Sequence, residues 1–228
     1  MQAMLNPEIV NILVDSRKHG WVLEPDAKHI FKLSGLDVPN YKLAKTIEAA
    51  VGFANKCRYP VVAKVVSPEI VHKSDVGGVA LGINTDRMLS ETFERFSSFK
   101  GFQGMLVEET LSGFELIVGA KIDHQFGPVV LLGIGGTGVE IYRDTALRML
   151  PLKPQDVASM VRGLKGHQLL EGYRGAEPVD LRQLTLMLTA FSGLVMQIET
   201  YIESIDLNPV ICTADRCVVA DARMMLTG

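Results

Sequence analysis

With 228 residues the chain is long enough for one large domain or two small ones, with a sizeable core. Its 47% hydrophobic and 21% charged residues exclude a disordered chain, and a net charge of −3 gives no electrostatic reason to expect nucleic acid or an anionic membrane as partner. Cys57, Cys212 and Cys217 make neither an even disulfide framework nor a CxxC pair, and MQAMLNPEIV lacks the basic start of a signal peptide; both point to a reduced, cytoplasmic protein, and no apolar run is long enough to span a membrane.

Asn6, Pro7 and Glu8 read as the N-cap, first-turn proline and first-turn acid of a helix that reaches His19, with Gly20 beyond its end. A second helix opens at Pro25 and closes at Gly35, with Ala27, Ile30 and Phe31 inward and His29 on a charged face beside Lys28 and Lys32. LDVPNYKLAK is extended, because Pro39 disfavours helix in the residue before it. Thr46 caps a short helix with Ile47, Ala50, Val51 and Ala54 on one face. Two β-branched runs, at 61–66 and 79–83, then read as buried strands around a polar loop holding Glu69, His72, Lys73, Ser74, Asp75, Gly77 and Gly78.

Met88, Leu89, Phe93 and Phe96 repeat at helical spacing and predict a helix over 86–99. GMLVEET and ELIVGAKID are strands separated by the turn LSGF; PVVLLGIG is another, and VEIYRD and LRMLPL are short extended pieces. A helix over 154–164 and an irregular connection follow. Asp180 and Gln183 then start the longest helix as a capping pair, and IESIDLNPVIC with RCVVADARM closes the chain as a hairpin around TADR. Strands joined by tight turns, with helices both between and after them, predict an α+β fold with helices on the outer sheet faces, hinged near Gly101.

Several residues point to chemistry. Lys64 lies inside a strand, an unfavourable place for a charge unless an anion meets it. His72 lies between buried strands, beside a glycine pair, and is the histidine with a reactive setting. Glu108, Glu109 and Glu115 flank a turn where adenosine hydroxyls or an amine could bind, or are solvated turn charges. Asp206 and Asn208, two apart, share one strand face with Asp221 nearby; such oxygens suit Mg2+ carrying nucleotide phosphates, or form a polar sheet face. Gly133, Gly135 and Gly138 spell GxGxxG, but a dinucleotide fingerprint needs a following helix and VEIYRD is a poor helix start, so the glycines predict a flexible or anion-accommodating loop.

The fixed order of YPVVAKVVSPEIVHKSDVGGV, VEE, FELIVGAKIDHQFGPVVLLGIGGTGVE, RGAEPVD, IDLNPV and VVADAR resembles the ATP-grasp β subunit of ADP-forming acetyl-CoA (acyl-CoA) synthetases, of the succinyl-CoA synthetase superfamily. The resemblance implies an α+β ATP-grasp fold in which two α+β subdomains, roughly 24–100 and 101–228 of a single 1–228 domain, clasp a nucleotide. It implies the reversible reaction of acyl-CoA, ADP and phosphate to acid, CoA and ATP. Carried over by position, it makes His72 a phosphohistidine, with Asp206 facing it. Lys64 and Glu115 contact ATP/ADP, Glu108 or Glu109 lies near the adenine and ribose, and Asn208 and Asp221 hold Mg2+. Gly135 and Gly136 face the partner. That partner is an α subunit with the CoA site and a first phosphohistidine, in a hetero-oligomer. A chain of this length starting at Met1 favours a separate subunit over the ATP-grasp region of a fused synthetase or protein acetyltransferase. Intact His72, Lys64, Asn208 and Asp221 count against a non-catalytic regulatory module.

Overall fold

The computed structural model describes residues 5–136, 144–175 and 177–228, with the backbone alone at Arg174. The chain forms two compact units, Pro39–Leu111 and Met1–Val38 with Ser112–Gly228. The division expected near Gly101 falls instead after Leu111, because strand Gly104–Glu109 pairs with strands Tyr41–Ala44 and Val61–Val66, which holds it in the smaller unit.

In the smaller unit, β2 (Tyr41–Ala44), β3 (Val61–Val66), β4 (Val79–Ile83) and β5 (Gly104–Glu109) form an antiparallel sheet in the order β2-β5-β3-β4. Helices α3 (Ile47–Cys57) and α4 (Asp86–Ser97) form its core with the sheet, each started by a threonine, Thr46 or Thr85, that accepts a backbone N–H. Strand alternation sorts β3: Val61, Ala63 and Val65 enter the core with Ala50, Ala54, Leu89 and Phe96, and Lys64 points to the other face. The helix predicted at 86–99 and the Thr46 helix are therefore present.

The larger unit begins with α1 (Pro7–Ser16), capped by the Asn6 side chain and ended by a 3-10 turn with Gly20 left-handed. A two-residue strand, β1 (Trp21–Val22), precedes α2 (Glu24–Leu33). Later come β6 (Phe114–Asp123), β7 (Gly127–Ile134), β8 (Thr145–Met149), α5 (Pro154–Gly163), α6 (Leu181–Ile198), β9 (Ile202–Cys212), β10 (Cys217–Val219) and β11 (Ala222–Leu226). The sheet runs β1-β11-β9-β6-β7-β8, with β10 also on β9. Leu116, Val118, Val130, Leu132, Ile205, Leu207 and Met224 lie in one core with Leu13, Phe31, Met160, Leu188 and Phe191 of the helices.

Four expectations need correction. The turn expected at LSGF does not join neighbours in one sheet: GMLVEET and ELIVGAKID supply β5 and β6, which lie in different sheets. The final strand of the expected hairpin breaks at Ala220 and Asp221 into β10 and β11, each paired with a different part of β9. Lys28 is not on an exposed face but fully buried. Helix α6 is long and apolar enough, by length and composition, to cross a membrane, but Leu184, Met187, Leu188, Phe191, Leu194, Val195 and Ile198 are buried in the core. Gly138 and most of VEIYRD lie outside the described residues.

Candidate functional site

The candidate residues divide between the two units, and each group is built by strand alternation. In the smaller unit Lys64 pairs in register with Leu106, and Glu108 with Val62, so the two charges sit diagonally on one face of β3 and β5. Their side chains, 7% and 4% exposed, meet at 3.1 Å between Nζ and Oε2. A buried ion pair of this kind carries a desolvation penalty that its own attraction need not repay, so its presence on a face away from the helices is unexplained by packing alone. Glu109, the next residue, turns to the opposite face. Its carboxylate accepts from the Asn40 backbone N–H at 3.1 Å and from Asn40 Nδ2 at 3.0 Å. Of the two candidates, Glu108 shares the Lys64 face and Glu109 does not.

The loop between β3 and β4 is held at both ends and exposes His72 in the middle. At the first end Ser67 Oγ donates to the Lys100 carbonyl, and Lys100 Nζ pairs with Glu69 at 2.9 Å. At the second, Gly78 N–H donates to the Lys73 carbonyl and its own carbonyl accepts from Val65 N–H. A Cβ at Gly78 would stand 2.6 Å from Val65 Cγ1, so only glycine lets the loop close there. Arg95 Nη1 donates to the carbonyl of Gly77, which is left-handed at φ +68°. Sequence reasoning missed Arg95, whose only signal is a cation in the last turn of α4.

In the larger unit the polar residues occupy the sheet face turned away from the helical core. Asp206 lies opposite Arg223 on β11, and one step on Asn208 N–H donates to the Asp221 carbonyl at 3.2 Å, making those two cross-strand neighbours. Arg223 Nη2 stands 3.5 Å from Asp206 Oδ2. Arg223 was passed over in the motif VVADAR; only the register of β9 against β11 gives it a role. On the other side of β9, Gly119 faces Asp206. Glu115 lies further along β6, where Gly135 N–H donates to its backbone carbonyl at 2.7 Å. A Cβ at Gly135 would come within 2.8 Å of that same oxygen, and Gly136 turns at φ +92° beside the Glu115 carboxylate.

The backbone brings Asn208 and Asp221 across from each other, with Asp206 two residues before Asn208 on β9. Among the described residues no group of three or more His, Cys, Asp or Glu could hold a metal. That donor set fits Mg2+, which takes one or two protein oxygens and completes its shell with water and substrate phosphates.

Burial pushes the Asp206 carboxyl above its ordinary value, and the Arg223 guanidinium pulls the other way without cancelling it. A carboxyl raised on folding holds its proton more tightly in the native state, so stability falls as pH rises from the unfolded value through the folded one. Asp206→Asn is therefore expected to raise the melting temperature at pH 7, with the gain shrinking to nothing below the ordinary Asp range; thermal scans against pH check it.

The sequence model of the ATP-grasp domain family matches residues 14–226. A relative from Pyrococcus furiosus, acetate–CoA ligase [ADP-forming] I subunit beta, is 38% identical over 213 residues, covering 90% of this chain and 91% of its own. The chain belongs to the ATP-grasp family of ADP-forming acyl-CoA ligases. In Archaeoglobus fulgidus a longer acetate–CoA ligase [ADP-forming] I is 36% identical, with 96% of this chain matching 33% of that protein. A solved structure of Ca. Korarchaeum cryptofilum dinucleotide forming acetyl-coenzyme A synthetase 1 with coenzyme A and Mg-AMPPCP, its phosphohistidine segment pointing towards the nucleotide binding site, aligns at TM-score 0.85 and 36% identity, over 96% of this chain and 100% of that one. Another structure of that protein holds a phosphorylated phosphohistidine segment in a site I orientation.

Proposed function

We propose that this chain is the nucleotide-binding β subunit of an ADP-forming acyl-CoA ligase and that His72 carries the phosphoryl group to ADP. The observation that supports it most is the exposed His72 on a loop bound at both ends, in a chain that matches a ligase β subunit over nearly its whole length. A neutral imidazole nitrogen attacks the phosphorus carried by a histidine of the α subunit. The old P–N bond breaks as the new one forms, and the partner's imidazole leaves. In the second step a β-phosphate oxygen of ADP attacks phosphorus, the His72 P–N bond breaks, and ATP forms. The two orientations named for the related segment support a loop that travels between two sites.

Lys64 would meet the nucleotide phosphates, Glu108 or Glu109 would lie near the adenine and ribose, and Glu115 would also contact the nucleotide. Asn208 and Asp221 would hold Mg2+, which would offset phosphate charge there. Asp206 would face the imidazole and, as an anion, keep its N–H oriented. The α subunit would bring the CoA site and the first phosphohistidine, in a cytoplasmic hetero-oligomer. The longer relative supports the same chemistry within a fused chain.

The test supplies the purified chain with ADP, Mg2+, phosphate and an acyl-CoA, with and without an α subunit. ATP formation that needs both proteins is the expected result. Nucleotide binding with no ATP formed by any α-type partner or in a fused arrangement overturns the reading and leaves a binding module.

A further inference from the structure

Lys28 is a buried charge that the reaction above does not use. Its side chain on α2 is 0% exposed, and its ammonium stands 3.0 Å from Glu24 Oε1, one helical turn earlier. The same ammonium donates at 2.9 Å to the carbonyl of Ala220, 192 residues away in sequence. Ala220 belongs to the short break between β10 and β11, the one that carries Asp221.

That break is bonded along its length. Val219 N–H donates to the Asp37 carbonyl, Ala220 N–H to the Pro209 carbonyl at 3.0 Å, and Asn208 N–H to the Asp221 carbonyl at 3.2 Å. The Ala220 carbonyl and the Asp221 N–H belong to one planar peptide unit, so a bond to that carbonyl fixes the plane from which the Asp221 side chain springs. Ladder bonds from β9 hold one side of the break, and Lys28 holds it from the helix side. A buried ion pair is replaceable by apolar side chains at little or no cost in stability, so stability alone does not account for it.

We propose that Lys28 is a positioning residue for the divalent-cation site: through Ala220 it sets the direction of the Asp221 carboxylate, with Glu24 as its ion-pair partner. The inference rests on the reading that Asn208 and Asp221 hold the metal of a metal–nucleotide complex. Groups that orient ligands from outside the coordination sphere typically govern metal affinity by about 10- to 100-fold.

The experiment compares Glu24→Gln/Lys28→Met, which removes both charges together, with the wild-type chain and with Asp221→Asn. Mn2+ is titrated in the presence of ADP and followed by electron paramagnetic resonance. ADP binding in EDTA and thermal unfolding are measured alongside. The expected result is Mn2+ affinity lowered about tenfold in the double variant, with metal-free ADP affinity unchanged. Glu24→Gln alone, which keeps the Lys28–Ala220 bond, should stay within about threefold of wild type. A folded double variant with wild-type Mn2+ affinity overturns the proposal. If the double variant does not fold, Lys28→Gln is read by the same two affinities and the same criterion. Wild-type affinity in Asp221→Asn, or no Mn2+ binding in the wild-type chain, overturns the metal-site reading itself and this inference with it.

Discussion

His72→Asn is expected to lower ADP phosphorylation by about 10^4-fold or more, because removing a nucleophile removes the covalent route and not one interaction along it. The same substitution should leave the melting temperature within about 2 °C of wild type, since an exposed loop residue outside the core contributes little to stability. The combination is what separates a phosphoryl carrier from a structural histidine. His72 is exposed, and the residues that close its loop are packed or hydrogen-bonded to one another or to neighbouring elements: Gly78 against Val65, Gly77 to Arg95, and Ser67 to Lys100. The substitution thus removes the reacting nitrogen and leaves the loop's supports in place. The check is a labelling experiment with γ-labelled ATP and Mg2+. The wild-type chain should take up an acid-labile, base-stable phosphate, the signature of a phosphoramidate, and the variant should take up none. Label retained in His72→Asn would place the carrier elsewhere in the chain and sink the relay through His72.

The residues that could be read from sequence are those whose positions follow from local periodicity. Alternation alone puts Lys64 on the face opposite Val61, Ala63 and Val65, and puts Asp206 and Asn208 on one face of β9. The caps at Asn6, Thr46 and Asp180 follow from residue type and the apolar pattern that comes after them. What sequence could not give depends on partners remote in the chain. β5 and β6 are consecutive, separated by four residues, and still enter different sheets, because strand pairing is decided by tertiary contact and not by the length of a turn. β1 is two residues long, below the length at which alternation can be seen. Lys28 looks like a solvated helix charge until Ala220 arrives from the far end of the chain. Glu108 and Glu109 are indistinguishable as letters. Once Val107 and Val61 are known to face the helices, their neighbours fall on opposite faces and only Glu108 stands with Lys64.

Lys64 makes the second large prediction, because it is buried for two reasons that a pair of variants can separate. Lys64→Met removes the ammonium 3.1 Å from Glu108 and leaves that carboxylate 4% exposed in its place. Breaking one side of a buried ion pair costs about 3–5 kcal/mol, which for a chain of this size lowers the melting temperature by about 10 °C. Lys64→Met/Glu108→Met removes both charges and should recover most of that loss, since the desolvation penalty disappears with the pair. Nucleotide affinity should not recover with it. A charge-assisted bond from Lys64 to a phosphate oxygen contributes about 1.5–3 kcal/mol, so both variants should bind ADP about 10- to 100-fold more weakly. Thermal scans and ADP titrations on the two variants together decide the matter. Stability restored without affinity identifies the Lys64–Glu108 pair as part of the nucleotide site. Affinity restored along with stability would mean that the ion pair only holds β3 to β5.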